Sequence, residues 1–208
     1  MSKDEKNTLE RIHIAAENEF LNRGFRQASL RNIVKTAGVT TGAFYGYYSS
    51  KEELFSDLVD VSYRYLIDTY QKALSYFAQL PPEQQPEQMG KISGNCMREM
   101  LLYMFEHRNS FRLLLQCADG TRYAAMIDEL VELEVESTHQ YYTVLEKLGH
   151  TVVYIDELLE HILVTGLMNA YFEIILHDMS MDDAKRYLNE LNDFYLAGWK
   201  KLWSSNAL

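Results

Sequence analysis

The chain has 208 residues, of which 47% are apolar and 24% are charged, so it can bury a sizeable core and is not wholly disordered. Its three prolines, Pro81, Pro82 and Pro86, stand within one short stretch. The long proline-free segments on either side favour helices and speak against sandwiches, barrels and disulfide scaffolds.

The net charge of −10 is distributed unevenly along the chain. Residues 1–51 carry eight basic and five acidic side chains, a balance of +3, whereas residues 52–208 have a balance of −13. An overall acidic protein is unfavourable for nucleic-acid binding, but such an asymmetry is a weak indication of a nucleic-acid-binding segment joined to another domain.

Two features of the sequence bear on where in the cell the protein is expected. The start of the chain has no apolar signal segment, and no run of eighteen apolar residues occurs, so we expect neither secretion nor a membrane span. Cys96 and Cys117 have no partners at metal-ligand spacing, and a reduced cytoplasmic protein is the expectation.

Local sequence patterns predict the first two helices. Apolar residues between Leu9 and Phe20 recur at three- and four-residue spacing, which predicts an amphipathic helix ended by Gly24. Ser29 is the expected N-cap of a second helix that runs through Lys35.

The next two helices follow a tight turn at residues 37–39. Thr40 is the expected cap of a third helix over residues 41–45. A long fourth helix is expected from about Lys51 to Phe77, ahead of the proline cluster.

Apolar periodicity continues through the remainder of the chain. It predicts further helical segments at 97–105, 111–115, 122–147, 155–175 and 187–202. The fold class is therefore all-α, with about nine helices. We predict two domains, residues 1–50 and residues 51–208.

Residues 29–48, SLRNIVKTAGVTTGAFYGYY, have the layout of a helix-turn-helix. In that motif the second helix enters the DNA major groove, and small residues at its start let the backbone approach the base edges. Thr40, Thr41, Gly42 and Ala43 are such residues, whereas Phe44 would face inward and hold the two helices together.

The stretch from Ile12 to Leu54 resembles the N-terminal domain of the TetR (tetracycline-repressor-like) family of transcriptional regulators. The matching residues are, in chain order, Ala16, Phe20, Gly24-Phe25, Ser29-Leu30, Ile33, Ala37-Gly38-Val39, Thr40-Thr41-Gly42, Phe44-Tyr45 and Lys51-Glu52-Glu53-Leu54. The resemblance covers about a quarter of the chain and implies a DNA-binding domain joined to an effector-binding and dimerisation domain.

The resemblance also implies individual roles. Thr41 lies where family members place a base-contacting side chain, and Tyr45 and Lys51 match a phosphate-binding tyrosine and lysine. Tyr47 stands in place of a phosphate-binding histidine. The predicted DNA-binding residues are Ser29, Arg31, Thr40, Thr41, Gly42, Ala43, Tyr45, Tyr47 and Lys51. Each could instead have a structural role only: Tyr45 and Tyr47 could belong to a packed aromatic cluster, and Thr40 could be only an N-cap.

Methionine and aromatic side chains are frequent in the C-terminal region and suit an adaptable apolar pocket. They could equally be ordinary core. By the resemblance, some of them line an effector pocket, and the candidates are Met97, Met100, Met104, Phe111, Tyr123, Met126, Tyr141, Met168, Tyr171 and Phe172. Glu99, Glu106 or Glu173 would then offer a charge to a cationic ligand.

The expected function is a DNA-binding transcriptional regulator, a repressor that binds a palindromic operator on double-stranded DNA and is released by a small, largely apolar effector. The last two helices are apolar on one face and would form the homodimer as a four-helix bundle. No cofactor or membrane is expected. A metal site is not expected either, because His161 and Glu157 lack a third ligand. No motif indicates an enzyme. The alternative is a helical ligand- or protein-binding module that does not bind DNA.

Overall fold

The computed structural model describes residues 3–204, and these form nine α-helices and no strand, as the all-α prediction expects. The helices are α1 (Lys3–Gln27), α2 (Leu30–Ala37), α3 (Thr41–Tyr45), α4 (Lys51–Gln79), α5 (Gln85–Glu106), α6 (Arg108–Gln116), α7 (Met126–Lys147), α8 (Glu157–Leu176) and α9 (Met181–Ser204). A 3-10 turn, Pro82–Gln84, precedes α5 within the predicted proline loop.

A kink at Gly24 ends the regular part of α1. Its φ of 70° and ψ of 164° are non-helical, but the chain resumes a helical turn that lasts to Gln27. The regular helix therefore ends at Gly24, as predicted, and one further helical turn follows the kink. That turn is held from outside, because the backbone N–H of Phe25 donates to the carbonyl of Cys117 at 2.9 Å.

The helix-turn-helix has the local caps that the sequence predicts. The Ser29 hydroxyl accepts from the backbone N–H of Asn32 at 3.4 Å, and the Thr40 hydroxyl accepts from that of Ala43 at 3.1 Å. Gly38 ends α2 in the left-handed region, with a φ of 64°, where a residue with a Cβ atom is strained.

Packing groups the described residues up to Arg64 with the segment His107–Ala125 as one compact unit, called here the first unit. Its core includes a phenylalanine cluster, in which the Phe20 and Phe55 rings meet edge-to-face at 5.1 Å and the Phe25 and Phe55 rings at 5.3 Å. Helix α1 packs against both α2 and α6. The predicted domain boundary after Ser50 stays a prediction.

The second unit comprises Tyr65–Glu106 and the described residues from Met126 onward. In it α8 packs against α7 and α9, and α5 packs against α9. By length and composition alone α8 could cross a membrane, but Val164, Ile174 and Ile175 on it are completely buried in the protein. It is a core helix of this unit.

Helix α7 begins at Met126, four residues after the predicted start at Arg122. The reason lies in the preceding side chains, which bind within the first unit. Tyr123 is buried, with its hydroxyl 2.5 Å from that of Ser56, and Arg122 forms an ion pair with Asp60. These tertiary contacts hold the segment out of a helix.

Both cysteines are free and buried. Burial, together with the Glu99 and Glu134 carboxylates, raises the pKa of the Cys96 thiol to about 12. Burial also raises the pKa of Cys117. Because the thiolate is the reactive form, neither side chain is activated for redox chemistry.

Candidate functional site

The exposed face of α3 presents small side chains. Thr41, Gly42 and Ala43 are all exposed, and Phe44 beside them is completely buried. The Phe44 ring packs against the Tyr48 ring at 5.8 Å. One side of this short helix is thus anchored in the first unit, and the residues at its N-terminus are exposed.

Tyr45 and Tyr47, two positions apart at the end of the helix-turn-helix motif, differ in their surroundings. Tyr45 is 55% exposed, so its hydroxyl is available to a phosphate. The Tyr47 hydroxyl lies 3.4 Å from the carbonyl of Glu5 and donates to it weakly. Tyr45 therefore fits the predicted phosphate role better than Tyr47 does.

Tyr48, which is buried, belongs to a polar cluster with the half-buried His13 and the exposed Asp57. Its hydroxyl donates to the Asp57 carboxylate at 2.5 Å and lies 2.5 Å from Nε2 of His13. Burial and the Asp57 and Glu53 carboxylates raise the pKa of Tyr48, so the phenol stays protonated. This cluster joins α1, the end of the helix-turn-helix and α4.

At the start of α2 the Glu19 carboxylate occupies the position that a phosphate would take. The Glu19 side chain accepts from the backbone N–H of Ser29 at 2.9 Å and from the Asn32 amide at 3.3 Å. Arg31 is exposed at the next position of the helix. A phosphate contact by Ser29 would have to share this N-terminus with Glu19, whereas Arg31 is open to one, and both roles stay predictions.

Lys51 stands at the first position of α4 and reaches back to the end of α1. Its Nζ donates to the carbonyl of Phe25 at 2.7 Å and to that of Ala28 at 3.1 Å. The same ammonium lies 4.5 Å from the centroid of the Phe25 ring. These contacts satisfy carbonyls that the helix leaves unpaired. The predicted phosphate contact of Lys51 stays untested, and a positioning role is evident beside it.

The second unit contains a cavity of about 90 Å³, lined mostly by apolar and aromatic side chains. Of the ten predicted effector-binding residues, Met97 and Tyr141 line it. Six others are buried in the second unit without lining it: Met100, Met104, Met126, Met168, Tyr171 and Phe172. Phe111 and Tyr123 belong to the first unit.

The carboxylate in this cavity is that of Glu134, which the sequence did not single out. The three acidic residues suggested for a cationic ligand do not line it. Glu99 is exposed and accepts a hydrogen bond from Tyr65 at 3.3 Å. Glu173 pairs with His177 at 3.1 Å, and Glu106 is exposed.

Residues 12–58 match the model of the family described as "Bacterial regulatory proteins, tetR family". The match covers about a quarter of the chain, in its N-terminal part. The matched segment contains the whole helix-turn-helix, α2 and α3, together with most of α1 and the first part of α4.

Curated relatives share this N-terminal segment. An uncharacterized HTH-type transcriptional regulator, YdgC, of Bacillus subtilis (strain 168) is 49% identical over 49 residues, which cover 24% of this chain and 25% of that protein. The HTH-type transcriptional repressor BepR of Brucella suis biovar 1 (strain 1330) is 42% identical over 52 residues, 25% of each chain. The chain thus spans about a quarter of the length of these relatives.

A solved structure extends the likeness to most of the fold. The TetR family transcriptional regulator PfmR from Thermus thermophilus has a TM-score of 0.55 and 17% identity, covering 88% of this chain and 97% of that one. At this identity the match shows a common fold and no more.

The sequence patterns did not identify two residues, Glu19 and Glu134. Glu19 reaches Ser29 across ten positions, and Glu134 lies on a helix whose neighbouring acidic residues, such as Glu132 and Glu136, are exposed. A lone acidic residue on an amphipathic helix carries no signal of the cavity it faces, because only tertiary packing creates that cavity.

Proposed function

We propose that this protein is a cytoplasmic transcriptional repressor of the tetR family that binds a palindromic operator as a homodimer and is released by a small effector. The observation that carries the proposal is the α3 surface, where Thr41, Gly42 and Ala43 are exposed beside an exposed Tyr45. Such a surface fits the major groove, which admits one helix. BepR, a relative over the same segment, is named as a repressor.

The proposed DNA contacts divide into two kinds. Thr41, with Thr40, Gly42 and Ala43 beside it, would read base edges and thymine methyl groups. The helix-turn-helix of each protomer, called here its reading head, would be positioned by contacts with phosphates, which carry no sequence information themselves. These contacts would come from Tyr45, Tyr47, Ser29, Arg31 and Lys51. The short side chains of α3 leave part of the specificity to DNA shape.

The proposed dimer uses α8 and α9. Ile162 on α8 and Phe194 on α9 are 55% and 73% exposed, although both are large and apolar. Gly198 on α9 has open space where a Cβ would stand, whereas Gly166 on α8 faces the Tyr195 hydroxyl within the chain. Two heads brought together in this way would read half-sites about 34–36 Å apart, or a multiple of it.

Release by an effector would be a two-state coupling. The effector would bind better to the conformation whose heads do not fit the operator, and it could lower operator affinity only by its differential affinity for the two states. Helix α4 is continuous and contributes residues to both units, so it is the proposed connection.

The experiment is a fluorescence-anisotropy titration of the full chain with the palindromic DNA upstream of its own coding region, repeated over a series of salt concentrations. Tyr45→Phe removes one hydroxyl from the proposed interface and should weaken binding to all sequences alike. Tyr76→Phe is the matched control, because Tyr76 is similarly exposed but lies on the second unit. Equal binding by both variants would remove the phosphate role of Tyr45.

The outcome for the wild-type chain decides the proposal itself. Specific binding to DNA should weaken steeply with salt, since phosphate contacts release counterions. A chain that forms a dimer but shows no salt-sensitive DNA binding would instead be a helical ligand- or protein-binding module.

A further inference from the structure

The cavity of the second unit holds a carboxylate that lacks a cationic partner. Glu134 lines it, and its Oε2 accepts a hydrogen bond from the Tyr70 hydroxyl at 2.6 Å. No Lys, Arg or His is among the described residues that line the cavity, and Glu134 makes no ion pair with any of them. Glu134 is half-buried, and one neutral hydrogen bond only partly compensates the loss of water around its carboxylate.

The electrostatic surroundings of Glu134 are also negative. Burial and the nearby Glu160 carboxylate raise the pKa of Glu134, while the hydrogen bond from Tyr70 lowers it. Glu160 is completely buried and is bound by Nε2 of His139 at 2.7 Å. Glu160 does not line the cavity, so Glu134 is the acidic residue among the described lining residues, and a positively charged group placed beside it would favour its ionised form.

Aromatic rings line the cavity in a continuous series. The rings of Phe77 and Tyr141 are 5.4 Å apart, those of Tyr141 and Trp203 are 5.9 Å apart, and those of Trp203 and Trp199 are 5.6 Å apart. All four residues line the cavity. The faces of such rings attract organic cations as well as apolar groups, most strongly where water is excluded.

We propose that this cavity binds an organic cation with apolar substituents, an amine or quaternary ammonium, with Glu134 as its counter-charge and the Phe77–Tyr141–Trp203–Trp199 series around its apolar part. An anion would be repelled by Glu134, and a neutral apolar molecule would gain nothing from it. The inference rests on the proposed function only in treating this ligand as the effector, since the binding itself requires no DNA.

The test compares two molecules of the same shape, benzyltrimethylammonium and its uncharged carbon isostere neopentylbenzene, with benzoate as the anion. The chain has two tryptophans, and both line the cavity, so the intrinsic fluorescence of the full chain reports binding directly. We expect the cation to bind about tenfold tighter than its isostere, or more, and benzoate to bind least.

Glu134→Gln removes the charge and keeps an oxygen that can accept from Tyr70. It should lower the affinity for the cation about tenfold and leave that for neopentylbenzene unchanged. Glu132→Gln is the matched control, an exposed residue of the same helix, and should change neither affinity. Equal affinities for the isosteres, a cation preference that survives Glu134→Gln, or no saturable cation binding would each overturn the inference.

The two proposals fail separately. The operator titration without any added cation tests DNA binding alone. A chain that binds the operator but prefers neopentylbenzene overturns the cation inference and leaves the regulator intact. A chain that binds the cation through Glu134 and no DNA retains the cavity assignment and overturns the repressor.

Discussion

Lys51→Met removes an ammonium and keeps an unbranched side chain of similar length, so it isolates the contacts of the charge. In the structure that charge donates to the carbonyls of Phe25 and Ala28 and lies over the Phe25 ring. Both of these residues are buried, and the carbonyls belong to the chain just beyond the kink at Gly24. Losing the ammonium leaves them without that donor.

The expected change in the free energy of unfolding follows from the number and kind of contacts that Lys51→Met removes. Hydrogen bonds from a charged donor contribute about 1.5–3 kcal/mol, and a cation over an aromatic ring at a partly exposed site adds about 0.5–1 kcal/mol. Because Lys51 is only half-buried, we expect a loss of about 2–3 kcal/mol in the free energy of unfolding. For a chain of this size that lowers Tm by roughly 4–12 °C.

The assay is urea unfolding followed by circular dichroism, with Lys35→Met as the control. Lys35 is exposed on α2 and makes no ion pair among the described residues, so its substitution should change stability by less than about 0.5 kcal/mol. If the two variants unfold at the same urea concentration as the wild type, the positioning role of Lys51 is refuted.

The phosphate role of Lys51 has a separate signature. A lysine that neutralises one phosphate contributes about 0.9 to the slope of log affinity against log salt. A stability loss with an unchanged slope would assign Lys51 to positioning alone. A reduced slope would show that the same ammonium also reaches DNA.

Three further predictions concern the other surfaces. Thr41→Val should weaken operator binding by about 1–3 kcal/mol and relax specificity at one base position, as measured by titration against single-base operator variants. Ile162→Glu with Phe194→Glu should give a monomer in light scattering, whereas Val61→Glu, an equally exposed apolar site of the first unit, should not; a dimer in both would exclude the α8–α9 interface. Glu134→Gln should raise Tm near neutral pH, because the raised pKa of Glu134 means that folding disfavours its ionised form. That gain in Tm should disappear as the pH falls toward the ordinary carboxyl range. A gain that does not depend on pH would contradict the raised pKa of Glu134.

The helix-turn-helix could be predicted closely because its determinants are local. Ser29 and Thr40 cap the helices that directly follow them, and Gly38 supplies the left-handed turn. Each of these effects acts within three or four residues, which is the range over which a sequence pattern is informative. The inward position of Phe44 follows from the same short-range periodicity.

The cavity could not be predicted in the same way, since its lining comes from distant helices. Met97 and Tyr141 line it, but composition could not distinguish them from Met100 or Phe172, which have the same chemistry and lie in the core. Glu134 was missed for the opposite reason. Its type is typical of a solvent-exposed helix face, and only the packing of α7 turns it toward the cavity.

Under the proposed function, the contacts of the basic side chains bear on how an effector would act. In the first unit Lys51 is bound to carbonyls, and Arg23 and Arg26 are paired with Glu19 and Asp119, whereas Arg31 and Lys35 on α2 are exposed to phosphates. Under the proposed function, operator affinity then depends on both heads fitting at once. A coupling energy of about 1–3 kcal/mol, which corresponds to roughly 5–150-fold in affinity, would therefore be enough to release the operator. A cation neutralising Glu134 could provide such an energy if one of the two conformations leaves that carboxylate better solvated than the other.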